Sequence, residues 1–482
     1  MQLGKRKLDY LGMKKVITLI SVFLYCSLFV GTQNSYAEFQ TIFNKLLSQH
    51  KISQDQVSMT VLKLEKKDDW STFLAVNSDQ QRIPASLTKI LTAVAALETI
   101  PGNHQFVTEL KAQSKPDGDI LNGPLYFVGS GDPTFVTEKL WLLVHDFSRL
   151  GIKKINGDLI YDTSIFDDVK FSKSRSTNNH RAYSSPTSGL TFNWNSLWIR
   201  IFPKKIGQSA RIYLDPPDET ILIRNNAKTN SRSTSLLVDR TTANDVDNII
   251  VGGQIKPGDE FSVYRSHTLP AKRAAIQAMN FLKKEGIELT GQIKEGKAPA
   301  SAIQLAKTES VVIDEVVKMM MKYSNNLISE MLVKFMDFRE NNRPGTLEGG
   351  VKLLNKILSK YSKKTFVVTN PSGLTTDNKM STNFLTELLI EMKNNAQHDA
   401  EFVASFPRAG IDGTIKKRMT KATGKIRAKT GLLNGVVGLS GYIHSDQGNT
   451  YAFTFIYNGT TQKQGRATDL FDLVAERIAT QH

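Results

Sequence analysis

The chain has 482 residues, 40% of them hydrophobic and 22% charged, with a formal net charge of +16. That balance is typical of a soluble globular protein long enough for roughly two to four domains. Several chemistries are disfavoured at once. The eight histidines lie far apart with none at metal-ligand spacing, so neither a metal nor another cofactor is expected. The Lys and Arg residues are dispersed without a nucleic-acid motif, so no nucleic-acid partner is expected either.

The chain opens on Lys5, Arg6, Lys7, Lys14 and Lys15, then an apolar run from Val16 to Val30, then Ser35-Tyr36-Ala37. A charged stretch, an apolar stretch and a small-x-small site are the marks of a secretory leader over residues 1–37. The run is shorter than the ~20 residues of a spanning helix, which favours cleavage over anchoring. The single cysteine, Cys26, lies inside that run, so a mature chain cut after Ala37 carries no thiol and no disulfide. It keeps a net charge of about +12, suited to an anionic envelope polymer or to peripheral association with the membrane face. An exported, periplasmic protein is expected.

In chain order, Phe39–Leu47 reads as a short amphipathic helix, followed by strands at Val57–Leu64 and Thr72–Ser78. Ser86–Ile100, rich in Leu and Ala and ended by Pro101, reads as a buried helix. From about 106 to 300, short apolar runs alternate with Gly, Pro, Asp and Asn clusters, which predicts mostly strands and one clear helix near Ala271–Glu285. Ser176–Asn179 and Asn225–Ser235 read as exposed polar loops. Helices return at Val311–Tyr323, Asn326–Met336, Gly349–Ser359 and Asn383–Asn394. Strands at 427–430, 436–442 and 451–457 follow, with Asn434-Gly435 as a hairpin turn, and a helix over Thr468–Ala479 closes the chain. The economical reading is an α/β catalytic domain built from two chain segments and interrupted by a β-rich insertion.

Three short motifs carry chemistry. Ser86-Leu-Thr-Lys89 opens the buried helix, and a spacing of three residues sets Ser86 and Lys89 on one face. A serine hydroxyl needs a base to become a nucleophile, and a lysine can be that base once burial and nearby positive charge lower its pKa. Ser324-Asn325-Asn326 joins two helices. Its hydroxyl could pass a proton to a leaving amine while the Asn326 amide holds Lys89 and a substrate carbonyl. Lys429-Thr430-Gly431 lies on the strand before the hairpin. Lys429 and Thr430 suit a free peptide carboxylate, and Gly431 allows close approach of a substrate backbone.

Each motif alone has an ordinary structural explanation as a helix cap or a strand ending in a turn. Ser48-Gln-His-Lys51 is a second S-x-x-K, and Ser176-Thr-Asn178 and Ser381-Thr-Asn383 both match S-x-N. Order and placement single out the set at 86, 324 and 429, the arrangement found in penicillin-binding proteins and class A β-lactamases.

The chain resembles the D-alanyl-D-alanine carboxypeptidase/endopeptidase family, the class C low-molecular-mass penicillin-binding proteins. Ser324 lies 238 positions after Ser86, a spacing too long for a β-lactamase. Family-like phrases recur at Leu125–Thr134, Gly157–Phe166, Asn370–Leu374, Ala409–Thr414 and Lys425–Gly431. The resemblance implies a transpeptidase-like domain, 38–105 with 300–482, whose five-stranded antiparallel sheet lies between helices. It also implies an inserted domain, 106–185 with 263–299, and a second, 186–262, nested within it.

By the same resemblance Ser86 is acylated, Lys89 is the base, and Ser324 and Asn326 assist. Lys429 and Thr430 anchor the terminal carboxylate, and the backbone N–H groups of Ser86 and Leu432 form the oxyanion hole. Asp162, with Phe166 nearby, matches the contact for the stem-peptide diamino acid; an Asp in a turn after a strand is the plainer reading. Peptidoglycan stem peptides would be the substrates and β-lactam antibiotics covalent inhibitors. Position 432 is Leu where relatives carry Ser or Thr, which removes a hydroxyl from the carboxylate site. Tyr323-Ser324-Asn325 also spells the Y-x-N of class C β-lactamases. A non-catalytic wall-binding protein and a β-lactamase-like esterase are the alternative readings.

Overall fold

The computed structural model describes residues 41–66, 69–172 and 180–482. The expected leader at 1–37 and the expected loop at Ser176–Asn179 lie outside the described residues. The alternating run from Val57 forms strand β1 (Val57–Lys66), paired in a hairpin with β2 (Asp69–Val76). Three strands from the far end of the chain complete the sheet: β3 (Ile426–Leu433), β4 (Val436–His444) and β5 (Thr450–Asn458). The order is β3-β4-β5-β1-β2, antiparallel throughout. β1 meets β5 from Val57 opposite Tyr457 to Leu64 opposite Thr450, so the first and last strands of the described chain close one sheet.

The strands β4 and β5 read as apolar runs because both of their faces are covered. On one face lies a helical layer: α1 (Thr88–Thr99), α2 (Ile313–Tyr323), α3 (Asn326–Asn341), α4 (Leu347–Leu358) and α5 (Thr382–Asn394). Tyr442, Ala452 and Ile456 from the sheet pack into it with Ile90, Leu91 and Val94 of α1, all fully buried or nearly so. Each such aliphatic side chain contributes roughly 1.5–3 kcal/mol, so a charge at Val94 would disrupt the layer. On the other face Phe453, Phe455 and Tyr457 meet α6 (Gln464–Gln481) and a helix over residues 41–49. The transpeptidase-like architecture expected from the motifs is the one observed.

The insertion leaves α1 at Pro101. Its five-stranded sheet runs Ile293–Glu295, Leu159–Asp162, Leu125–Val128, Val107–Ala112, Ile303–Glu309, and helices Thr137–Ser148 and Pro270–Lys284 pack on it. Two features differ from expectation. Strand Ile303–Glu309 pairs with Val107–Ala112, so the insertion's sheet extends beyond the expected boundary at 300. The helix Thr137–Ser148 was not expected. Trp141 and Leu142 are exposed in it (45% and 47%), which blurs the apolar stripe that would have marked it.

Within the insertion, a smaller β unit has its own core of Leu197, Ile199, Ile201, Val238, Ile249 and Val251. One of its sheets orders Phe261–Ser266, Ser196–Phe202 and Arg211–Asp215. Pairing of Phe261–Ser266 with Ser196–Phe202 keeps residues 263–266 in this unit, past the expected edge at 262. Asn225–Ser235 is not wholly loop, because Lys228–Thr229 adds to the β strand at Val246–Ile255.

Candidate active site

The site forms where α1, the α2–α3 junction and β3 converge. A tight turn, Ala85–Leu87, precedes α1 and holds Ala85 at φ +49°, a conformation L-residues seldom adopt. Neighbours enforce it. A Cβ on Gly373 would lie 1.9 Å from the Ala85 carbonyl oxygen, and one on Gly431 would lie 2.8 Å from that of Pro84. Glycine at 431 therefore lets β3 press against the turn that presents Ser86. Ser86 itself stays partly open, while Lys89, one helical turn on, is fully buried.

The Lys89 Nζ donates to Ser86 Oγ at 3.1 Å, to Asn326 Oδ1 at 2.6 Å and to the Ser372 carbonyl at 2.5 Å. Ser324 ends α2 in the left-handed conformation (φ +55°), while Asn325 caps α3 by accepting from Ile328 N. Because its neighbour does the capping, the Ser324 hydroxyl is free to take a 2.7 Å bond from Lys429 Nζ. This selects the register at Ser324. Tyr323, 71% exposed, instead lines the adjoining cleft. Lys429 also donates to the Thr430 carbonyl at 2.6 Å and is wholly buried. Burial pushes its ammonium well below the usual lysine value, and the charge of Lys89 pushes the same way.

Five of the expected residues therefore meet at one site in two hydrogen-bonded groups, Lys89 with Ser86 and Asn326, and Lys429 with Ser324. Thr430 and Gly431 flank it on β3, and Leu432 projects outward, 66% exposed. The Lys429 ammonium is fully buried between the Ser324 hydroxyl and the Thr430 carbonyl. Thr430 Oγ1 pairs with Thr414 Oγ1 at 2.9 Å.

The structure sets Asp162 and Phe166 apart from this cluster and gives them structural work. The Asp162 carboxylate is buried and accepts from the backbone N–H groups of Ser164 (2.8 Å) and Ala298 (2.7 Å). Phe166 is buried in the helical-layer core, bridges to Gly345 and lies 5.3 Å beneath Lys334 Nζ. Both fasten the insertion together or to the catalytic domain and neither presents a free face to a ligand.

Other contributors carry no motif. Ser372 binds Lys89 through its carbonyl, and the Tyr183 carbonyl, in the insertion, accepts from Asn326 Nδ2 at 2.8 Å. Ser372 lies in the phrase Asn370–Leu374, but a backbone acceptor leaves no residue signature, so its bond to Lys89 and that of Tyr183 to Asn326 could not be read from sequence. Lys322, at the end of α2, donates to Asp412 at 2.8 Å and to the Phe406 carbonyl at 2.7 Å, tying the Ser324 turn to the loop that carries Thr414. Burial acts to raise the Asp412 carboxyl, but Lys322 and Arg408 hold it below the usual range.

A serine partly open beside a buried lysine, with a second lysine–serine pair opposite, on an antiparallel sheet between helices, defines the transpeptidase-like, penicillin-binding class of protein. The chain belongs to the D-Ala-D-Ala carboxypeptidase 3 (S13) family, whose model matches residues 40–476, and it is a hydrolase of that family. It is 31% identical to the D-alanyl-D-alanine carboxypeptidase of Actinomadura sp. (strain R39) over 425 residues, 83% of this chain and 77% of that one. It is 27% identical to the D-alanyl-D-alanine carboxypeptidase DacB of Haemophilus influenzae over 411 residues, covering 80% and 85%. The crystal structure of penicillin binding protein 4 (dacB) from Haemophilus influenzae superposes with a TM-score of 0.75 at 24% identity, covering 90% of this chain and 99% of that one.

Proposed function

We propose that this protein removes the terminal D-alanine of peptidoglycan stem peptides and cleaves D,D-cross-links through an acyl-enzyme on Ser86. The observation that carries the reading is the pair of buried lysines, each bonded to a serine hydroxyl: Lys89 to Ser86 at 3.1 Å and Lys429 to Ser324 at 2.7 Å.

Ser86 Oγ attacks the carbonyl of the penultimate D-alanine as its proton passes to Lys89. Backbone N–H groups of Ser86 and Leu432 receive the oxyanion. That proton passes on from Lys89 through the Ser324 hydroxyl to the leaving amine, which returns Lys89 to its neutral form; the C–N bond breaks and an ester to Ser86 remains. Water, deprotonated by the same base, then frees the peptide acid and restores Ser86. Thr430 and Thr414 meet the terminal carboxylate through their hydroxyls. A β-lactam supplies the same carbonyl and carboxylate but tethers its leaving group, so it acylates Ser86 as a substrate mimic. Complexes support this by likeness of fold: penicillin binding protein 4 (dacB) from Haemophilus influenzae has been solved with a novel β-lactam, and the Bd3459 endopeptidase of Bdellovibrio bacteriovorus acylated by penicillin G. The apolar leader segment supports export to the periplasm.

The test is digestion of purified peptidoglycan by the mature chain and by Ser86→Ala, read by mass spectrometry. Loss of terminal D-alanine or of cross-linked dimers by wild type alone is expected. Equal products from both proteins would remove Ser86 from the mechanism.

A further inference from the structure

The nested β unit presents an unusual outer face. Along Ser196–Phe202, Leu197, Ile199 and Ile201 point into the core, leaving Trp198, Arg200 and Phe202 on the opposite side. Register adds Tyr264 opposite Trp198, Tyr213 opposite Arg200 and Arg211 opposite Phe202 on that side.

The six side chains form a continuous stack. Trp198 and Tyr264 lie 5.9 Å apart at 13°, and the Arg200 guanidinium sits 4.9 Å from the Trp198 ring and 5.0 Å from that of Phe202. Arg211 follows at 5.7 Å from Phe202 and 5.1 Å from Tyr213. Tyr264 and Tyr213 are 50% and 46% exposed, so aromatic rings face solvent here.

One end of this face runs into the active-site cleft. Tyr264, with Trp194 and Tyr183, lines a cavity of about 610 Å³ whose other wall is Tyr323, Ser324 and Asn326. A polymer seated against Ser324 and Asn326 in this cleft would lie beside Tyr264, the first ring of the ladder. From Trp198 to Phe202 the strand advances roughly 13 Å, room for more than one sugar ring.

Charge narrows the ligand. Arg200 is neutralised by Glu260 at 2.7 Å, the Arg211 guanidinium lies over the Phe202 and Tyr213 rings, and Asp215 stands opposite Trp198, so the ladder carries no cluster of free cations. A polyanion needs an excess of positive charge, whereas flat rings with fixed hydrogen-bonding edges suit the apolar faces and hydroxyl rims of pyranoses. Resting on the function proposed above, we propose that this ladder is a binding track for the glycan strand of the wall polymer, holding it while its stem peptides enter the cleft.

The test is co-sedimentation of the full mature chain with insoluble glycan stripped of its stem peptides, beside hydrolysis of a short soluble acyl-D-Ala-D-Ala peptide. Wild type is expected to sediment with the stripped glycan. The double variant Arg211→Ala/Tyr213→Ala, at exposed positions, is expected to lose about tenfold in that affinity. It should keep its unfolding midpoint and its kcat/KM on the soluble peptide; Trp198→Leu serves as a second variant.

Unchanged sedimentation of both variants, or none by wild type, overturns the proposal. So does tighter binding of a single-stranded oligonucleotide that is lost with the same substitutions. Sedimentation by a wild type that leaves the soluble peptide intact supports the track and overturns the reaction assigned to Ser86 instead.

Discussion

Two regions of this molecule bury cations and treat them in opposite ways. Where the nested unit joins the insertion, Arg273 reaches Asp218 at 2.8 Å and Asp247 at 3.8 Å, and Arg240 reaches Asp247 at 2.8 Å. In the active site Lys429 bonds a hydroxyl and a carbonyl, and among the described residues no carboxylate pairs with it. Arginine cannot shed its proton, so burying it demands a counter-charge. A lysine left without one can relieve the cost by becoming neutral, and a neutral amine is a base. The first region uses charge as a fastener; the second holds a lysine whose burial favours its neutral form.

The comparison sharpens into predictions. Ser86→Ala is expected to lower peptide hydrolysis by at least about 10⁴-fold and abolish the β-lactam adduct seen by intact-mass spectrometry. Lys429→Met removes charge without leaving a cavity and should slow acylation by about 10²–10⁴-fold, measured as the rate of adduct formation, with little loss of stability. Arg273→Met should do the reverse. It strands Asp218, leaves Asp247 to Arg240 alone, and is expected to cost about 3–5 kcal/mol in a denaturant titration, with hydrolysis intact where the variant remains folded.

A pH experiment probes the same cluster. Burial pushes the His267 imidazole down from its ordinary value of 6.5 to about 3. Below 6.5 the unfolded chain binds a proton that the folded imidazole refuses, so stability should fall as pH drops from about 6.5 to about 3 and level off below. His267→Gln is expected to flatten that slope relative to wild type, read from midpoints across the interval. Smallest of all, Leu432→Thr restores a hydroxyl at an exposed position and should lower KM for carboxylate-ended peptides by only about two- to fivefold.

Legibility divides along related lines. Ser86, Lys89, Ser324, Asn326 and Lys429 were readable because their side chains act from contiguous motifs, and β1 was readable because its alternation matches the pleat. Asp162 and Phe166 sit in a phrase that resembles a ligand contact, but sequence does not say which way a side chain faces. One turned out to hold the backbone of Ala298, 136 residues away, and the other to fill a core. Helix Thr137–Ser148 was lost among turn residues because two large apolar side chains lie on its wet face. The limits of the insertion shifted because strands Ile303–Glu309 and Phe261–Ser266 choose partners far away in the chain.

The pairing of β1 with β5 has a consequence for timing. The strand that seats Lys429 is held in place by β4 and β5, and β5 finds its other neighbour only in β1. Pairing at such separation is slow, because a long loop must close before any bond rewards it. A chain that ends before β3 lacks Lys429 and with it the second lysine–serine pair. On the function proposed above, such an enzyme is expected to stay inert until its last strands have been made and paired.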